Sequence, residues 1–204
     1  MLLSTRVMHC TDLELELNKV LALRSLNNGE FISSERRKFV VDSEYVDARC
    51  SFQTLQEIML TEGNRDRALG DASKCMFRMK HIRDSLSGMA AKVFLREGLM
   101  DERDSITISG NGWYPKDSYL GWHTNRCTPG LRVYCNWAAE SGKSGLYYHY
   151  EGHDLDRRVM LDEQGWNYRV FSTNSKLPFW HAVFSHTDRV SVGFRILKEK
   201  PNDV

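Results

Sequence analysis

The spacing of apolar residues along the chain changes near residue 104. Before that point it is helical. Leu13, Leu15, Leu17, Val20, Leu21 and Leu23 predict a helix opened by Thr11-Asp12 and closed at Asn27-Asn28-Gly29. Phe52, Leu55, Ile58 and Met59 predict a short helix over residues 52–60, with Gly63-Asn64-Arg65-Asp66-Arg67 as the turn after it. Cys75, Met76, Met79, Ile82, Leu86, Met89 and Val93 fall at three- and four-residue steps and predict the longest helix, from Asp71 to a stop at Gly98. Its opposite face carries Lys74, Arg78, Lys80, Arg83, Lys92 and Arg96. The charged run over residues 33–38 reads as a solvated loop or helix start.

Beyond residue 104 the period becomes two. Short alternating runs of aromatic and β-branched residues, separated by Gly, Pro and Asn, predict strands at residues 106–108, 132–137, 145–150, 168–171 and 190–196. Short strands at this spacing indicate a sandwich or jelly-roll barrel. The reading is α+β, mainly β, with the N-terminal helices on one outer face of the barrel. Neither a repeat nor a linker interrupts it, so one domain over residues 1–204 is expected, about 1–103 helical and about 104–198 the β core.

Composition narrows this modestly. The 28 basic and 27 acidic residues give a net charge of +1, so no overall field favours nucleic acid or an anionic membrane. The basic face that includes Lys74, Arg78 and Arg83 reads as a solvated surface and is also the best candidate for contacting a polyanionic substrate. Cys10, Cys50, Cys75, Cys127 and Cys135 are odd in number and show no Cys-x-x-Cys pair, which argues for free thiols over disulfides or a structural zinc. No apolar run reaches the roughly 20 residues of a membrane span, and the start has no signal-like stretch. The expected setting is the cytoplasm.

The chemistry-bearing stretches are Trp122-His123-Thr124-Asn125, then Phe179-Trp180-His181-Ala182-Val183, then Asp188-Arg189-Val190-Ser191. Imidazole suits ferrous iron, and two histidines with one carboxylate leave positions open for an organic acid and O₂. Arginine offers a two-pronged partner to a carboxylate. His149, His153 and His186 stand outside this pattern, whereas Trp113, Trp122, Trp137 and Trp180 crowd it, either as cavity walls or as core filling.

From Gly110 to Ile196 the chain resembles the iron(II)- and 2-oxoglutarate-dependent dioxygenase superfamily, whose core is a double-stranded β-helix of the jelly-roll kind. The resemblance implies Fe(II) and 2-oxoglutarate as cofactor and cosubstrate, with His123, Asn125 and His181 in the metal triad. It implies that Arg189 pairs with the distal carboxylate of 2-oxoglutarate and that Ser191 hydrogen-bonds it. Arg195 matches a second arginine of some branches, and Tyr114 stands where many members place a cosubstrate-binding tyrosine. The departure is Asn125, where the superfamily has Asp or Glu. Three readings follow: a weak amide ligand, a vacancy taken by a halide, or a barrel without metal that survives as a binding module for a carboxylate or a macromolecule. Gly-Trp-His-Thr-Asn followed by Pro-Gly-x-Arg-x-Tyr is similar to uncharacterised dioxygenase-like proteins of bacteriophage genomes, in which Asn is expected to recur; a phage-encoded chain would work in the host cytoplasm. The substrate class, whether small molecule, protein or nucleic acid, is left open.

Overall fold

The structure is a computed structural model and describes residues 4–6, 10–26, 41–62, 74–78, 84–125, 127–150, 156–173 and 179–199. Its elements run in the order β1 (Ser4–Arg6), α1 (Thr11–Leu26), α2 (Ser43–Arg49), α3 (Phe52–Glu62), β2 (Lys74–Cys75), β3 (Phe77–Arg78), α4 (Asp84–Arg96), β4 (Ser105–Tyr114), β5 (Ser118–His123), β6 (Gly130–Ala138), β7 (Ser144–Tyr150), β8 (Arg158–Leu161), β9 (Gly165–Thr173), β10 (Phe179–Ser185) and β11 (Arg189–Leu197). The strands form two antiparallel sheets. One has the order β1-β9-β6-β11-β4-β3 and the other β2-β5-β10-β7-β8. From β4 onward the chain crosses between sheets at nearly every step.

The two-residue alternation decides which side chains face which way. On β11, Val190, Val192, Phe194 and Ile196 point outward into a core built with α1 and α4, while Arg189, Ser191, Gly193 and Arg195 take the opposite face. Helix α1 buries Cys10, Leu13, Leu17 and Val20 in that outer core, and α4 adds Leu86, Ala90, Val93 and Phe94. Polar contacts fix the seating: Tyr168 donates to Glu14 at 2.8 Å and the Trp166 indole to Asn18 at 2.9 Å. Outside the second sheet, Val46, Cys50 and Leu55 of the α2–α3 segment pack on Tyr119, Trp122, Trp180, Ala182 and Phe184. The helices therefore cover the outer faces of both sheets, where one face was expected.

A second correction concerns the expected long helix. It begins only at Asp84, and Gly98, with φ of 66°, closes it as predicted. Lys74–Cys75 and Phe77–Arg78 are short strands that extend the sheets by pairing with β5 and β4. The basic face through Lys74, Arg78 and Arg83 thus does not lie on one helix; Arg83 and the side chains of Lys74 and Arg78 lie outside the described residues. So do the expected turn at Gly63 to Arg67 and the charged run 33–38. Of the two readings of the tryptophans, core filling is the one observed. All four belong to the outer cores, Trp113 and Trp137 beside α1 and α4, Trp122 and Trp180 beneath α2 and α3. Cys10, Cys50, Cys127 and Cys135 are free thiols. None of the described helices is long and apolar enough to cross a membrane.

Candidate functional site

Between the sheets lies a third core, in which Tyr114, Phe171 and Tyr134 of the first sheet meet Leu146, Phe179 and Val183 of the second. Space for it is made at Gly193. A Cβ there would lie 1.8 Å from a Tyr134 ring carbon, so only glycine lets that ring cross the inner face. Polar groups cluster at the two ends of this aromatic interior.

The first end holds the two motif histidines. His181 on β10 pairs in register with His123 on β5, and their ring centroids are 4.0 Å apart. A bulge produces this meeting. Val183 pairs with Leu120 while His181 pairs with His123, so β5 spends three steps where β10 spends two. Regular alternation from Leu120 would turn His123 outward; the extra residue at Gly121 instead turns Trp122 into the outer core and His123 inward.

Both imidazoles are oriented from behind. Nδ1 of His123 lies 2.8 Å from the Gly121 carbonyl, and Nδ1 of His181 lies 3.0 Å from the Phe179 carbonyl. A carbonyl only accepts, so each Nδ1 carries the proton and each Nε2 presents a lone pair. Burial, then the neighbouring His123 and Arg132, hold His181 well below the ordinary histidine pKa against the opposing pull of the Phe179 carbonyl. It is a neutral donor in a dry wall, stacked on Phe179 at 5.2 Å and edge-on to Phe171 at 5.5 Å.

Asn125 completes the group. Its Nδ2 lies 3.2 Å from His181 Nε2, and its backbone is left-handed, with φ of 55°, a conformation Asn tolerates better than most residues. The turn holding it is tied down: Thr128 donates to the Asn125 carbonyl through its amide at 3.0 Å and its hydroxyl at 3.3 Å. Buried Arg132 in turn donates to the Thr128 carbonyl and, at 2.7 Å, to its hydroxyl. The sequence placed Arg132 on a strand and in the Pro-Gly-x-Arg-x-Tyr stretch but assigned it no role at the site. Among the described residues no three His, Cys, Asp or Glu side chains converge on one metal-sized site. Two imidazoles and an amide lie side by side there instead.

The other end is ionic. Asp162, 1% exposed, accepts from Arg169 at 2.9 Å on one oxygen, and on the other from Arg189 Nε at 2.8 Å and Ser144 at 2.9 Å. Burial by itself would raise this carboxyl, but Arg189 and Arg169 override it and hold the pKa below the usual carboxylate value. Two guanidiniums against one carboxylate leave the cluster one positive charge in excess. Arg189 Nη1 is buried there without a hydrogen-bond partner. Tyr114, opposite Arg189 in register, lies under that guanidinium at 5.2 Å. Burial pushes its phenol up to about 12, with Arg189 opposing and Tyr134 adding to the rise, so it stays a protonated donor.

The expected site residues therefore divide. His123, Asn125 and His181 come together, and so do Arg189 and Tyr114. Ser191 lies between the ends with its O–H given to Asn136 at 2.8 Å. Arg195 is not beside Arg189: six residues along β11, or about 20 Å of strand, place it at the histidine end, opposite Arg132. Asp162 was missed because it sits in no motif. Its only signal was an Asp162-Glu163 pair before the turn into the next strand. His149 and His186 take part in neither end: His149 stacks near Phe52 at 5.3 Å, and His186 bridges Asp47 and Asp117 on the surface. His153 lies outside the described residues.

No protein-family model matches the chain, and no curated protein matches it. Solved structures similar to it include a prolyl hydroxylase from Trichoplax adhaerens, in complex with a hypoxia inducible factor oxygen degradation domain peptide fragment. That match has 13% identity and a TM-score of 0.47, over 96% of this chain and 83% of that one. Another is a prolyl-4-hydroxylase from Pseudomonas putida, at 12% identity and a TM-score of 0.38, over 83% of this chain and 89% of that one. Both are prolyl hydroxylases. At these values the likeness says nothing of substrate or activity here.

Proposed function

We infer that this chain is an oxygenase of the iron(II)- and 2-oxoglutarate-dependent type, oxidising an unidentified substrate at the histidine end of its barrel. The observation that carries the reading is the pair of buried, facing imidazoles whose Nδ1 protons are held by backbone carbonyls. Metal-ligating histidines characteristically have their second nitrogen hydrogen-bonded in this way, which fixes tautomer and ring orientation. The strand order β4-β11-β6-β9 against β5-β10-β7-β8 supports a jelly-roll core for it.

The donor set fits a divalent first-row cation. His123 and His181 would hold it through Nε2. Turning the Asn125 amide over would present Oδ1 where Nδ2 now lies, adding a neutral oxygen. Iron bound there would supply O₂ activation coupled to oxidative decarboxylation of the 2-oxo acid. The chain's own part is to orient and to exclude. Arg189 Nη1 and the Tyr114 hydroxyl offer the distal carboxylate two donors in a cluster that already lacks one negative charge. Phe171 and Phe179 keep water from the imidazoles.

The test is binding of iron(II) and 2-oxoglutarate to anaerobically prepared protein. Tight, mutually dependent binding that His123→Ala or His181→Ala removes is expected; binding of neither sinks the reading. One observation favours a second reading. The described residues bring no carboxylate to the histidine pair, which suits a barrel that binds without oxidising. Succinate release dependent on iron would dismiss it.

A further inference from the structure

We propose that strand β8 is a self-complementary edge through which two copies of this chain pair antiparallel, joining their second sheets into one. The inference is independent of the chemistry at the histidines.

β8 stands last in the order β2-β5-β10-β7-β8, so among the described residues it pairs with β7 alone. The register sets Gly145 against Leu161 and Leu146 against Met160. One step further, the Asp162 amide donates to the Ser144 carbonyl at 2.9 Å. Bonded positions alternate along an antiparallel ladder, so Met160 shares with Asp162 the side facing β7. The N–H and C=O groups of Val159 and Leu161 therefore point to the free edge. The Leu161 carbonyl accepts there from Arg169 at 2.5 Å, and a carbonyl has a second lone pair. Edges of this kind are commonly guarded by lysine, proline or a bulge. β8 instead presents Val159 and Leu161, 47% and 48% exposed, on the outer face beside Tyr147.

The flanks of the strand decide what covers it. Arg157 and Arg158 precede the apolar centre, and Asp162 and Glu163 follow it. A parallel copy would set like charges together, whereas an antiparallel copy related by a two-fold axis sets a basic flank against an acidic one twice. Opposed side chains must share a face, so the axis passes through a residue. At Val159 it would oppose Asp156 to Asp162, and at Leu161 it would oppose Val159 to Glu163. At Met160 it opposes Val159 to Leu161 of the other copy, giving four backbone hydrogen bonds and one apolar row. The same axis brings Arg157 to Glu163, which is exposed. Arg157 already lies over the Tyr147 ring at 3.7 Å and donates to the Cys50 carbonyl, which uses one of its five N–H groups. Four residues per chain bury less than the roughly 1,200 Å² of a standard interface, so the pairing is weak and concentration-dependent.

Sedimentation velocity of the full-length protein from about 10 μM to about 1 mM covers the range of weak association. The average mass should climb from one chain toward two, and amide exchange at Val159 and Leu161 should slow over the same range. Val159→Lys, at an exposed position, should keep the thermal midpoint of the dilute wild type and associate about tenfold or more weakly. Glu163→Arg sets arginine against Arg157 in both pairs and should weaken association about threefold. Leu15→Lys, equally exposed but on α1 over the other sheet, should leave association unchanged. A chain that stays monomeric at every concentration overturns the proposal, including the case in which the edge takes an extended segment of a different protein. A dimer that Val159→Lys and Glu163→Arg both leave intact has its contact elsewhere and overturns it as well. Association strengthened by Glu163→Arg overturns the axis at Met160.

Discussion

The two ends of the barrel interior hold the same kind of charge in different ways. At the Asp162 end, two buried arginines share one carboxylate that has hydrogen bonds on both oxygens. At the histidine end, Arg132, the register partner of Arg195, is tied to the Thr128 turn that carries Asn125 beside His181. The first arrangement is largely satisfied by the chain itself. It nevertheless keeps one positive charge in excess and leaves Arg189 Nη1 without a hydrogen-bond partner, so it is anchored and still suited to an anion, whereas the histidine pair presents imidazole nitrogens suited to a cation.

The largest effect is expected from breaking the Asp162 end. Asp162→Ala would leave Arg169 and Arg189 buried side by side without the carboxylate they share, a loss of about 3–5 kcal/mol by analogy with one-sided removal of buried ion pairs, read from urea unfolding. A companion change, Asp162→Ala with Arg169→Met, should recover part of it. The pH dependence has a definite sign. The folded pKa of Asp162 lies below its unfolded value, so its contribution is fully present above the unfolded carboxylate range, near pH 4, and is lost as pH falls through the lower folded value. Wild-type stability should therefore hold into mildly acid solution, while the Asp162→Ala profile should lack this acid-sensitive component.

At the histidine end the comparison turns on binding. His181→Ala should lower affinity for iron(II), or for cobalt(II) as a spectroscopic probe, by about a hundredfold or more, the range typical of disrupting metal sites. Asn125→Asp should act in the opposite direction, adding a negative donor to a neutral set and raising affinity about tenfold, or about 1.4 kcal/mol. Its left-handed backbone should pose no obstacle, since Asp tolerates that region as Asn does. Equal affinity in wild type and Asn125→Asp would mean that residue 125 does not face the cation.

How far each end could be read from sequence follows from how it is encoded. His123, Asn125 and His181 lie in short, composition-rich stretches, and the alternation after residue 104 marked five strands at nearly their true positions. The bulge at Gly121 left no periodic trace, yet it decides that His123 faces inward. The roles of Asp162 and Arg132 were missed for a different reason. Each is a single charged residue whose role comes from partners far along the chain: Arg189 is 27 residues from Asp162, and Arg195 meets Arg132 through strand pairing alone. Residues 74–78 misled because Cys75 and Met76 fall by chance in phase with the true helix at Asp84. Pairing with β5 and β4 overrode that local pattern. Strands Ser118–His123 and Phe179–Ser185 were recognised as motifs, not as strands, since their buried runs lack alternation.

The smallest predicted effect lies between the ends, at Ser191. Its place in Arg-x-Ser suggests a cosubstrate contact, but its hydroxyl proton is given to Asn136 at 2.8 Å. Ser191→Ala should cost about 1 kcal/mol of stability through the lost hydrogen bond, and 2-oxoglutarate affinity should change by less than about threefold, or under about 0.7 kcal/mol. A tenfold loss of affinity at unchanged stability would show that the hydroxyl turns from Asn136 to the ligand on binding. The cosubstrate site would then extend from Arg189 and Tyr114 along β11 to Ser191, and the separation between the two ends would be correspondingly shorter.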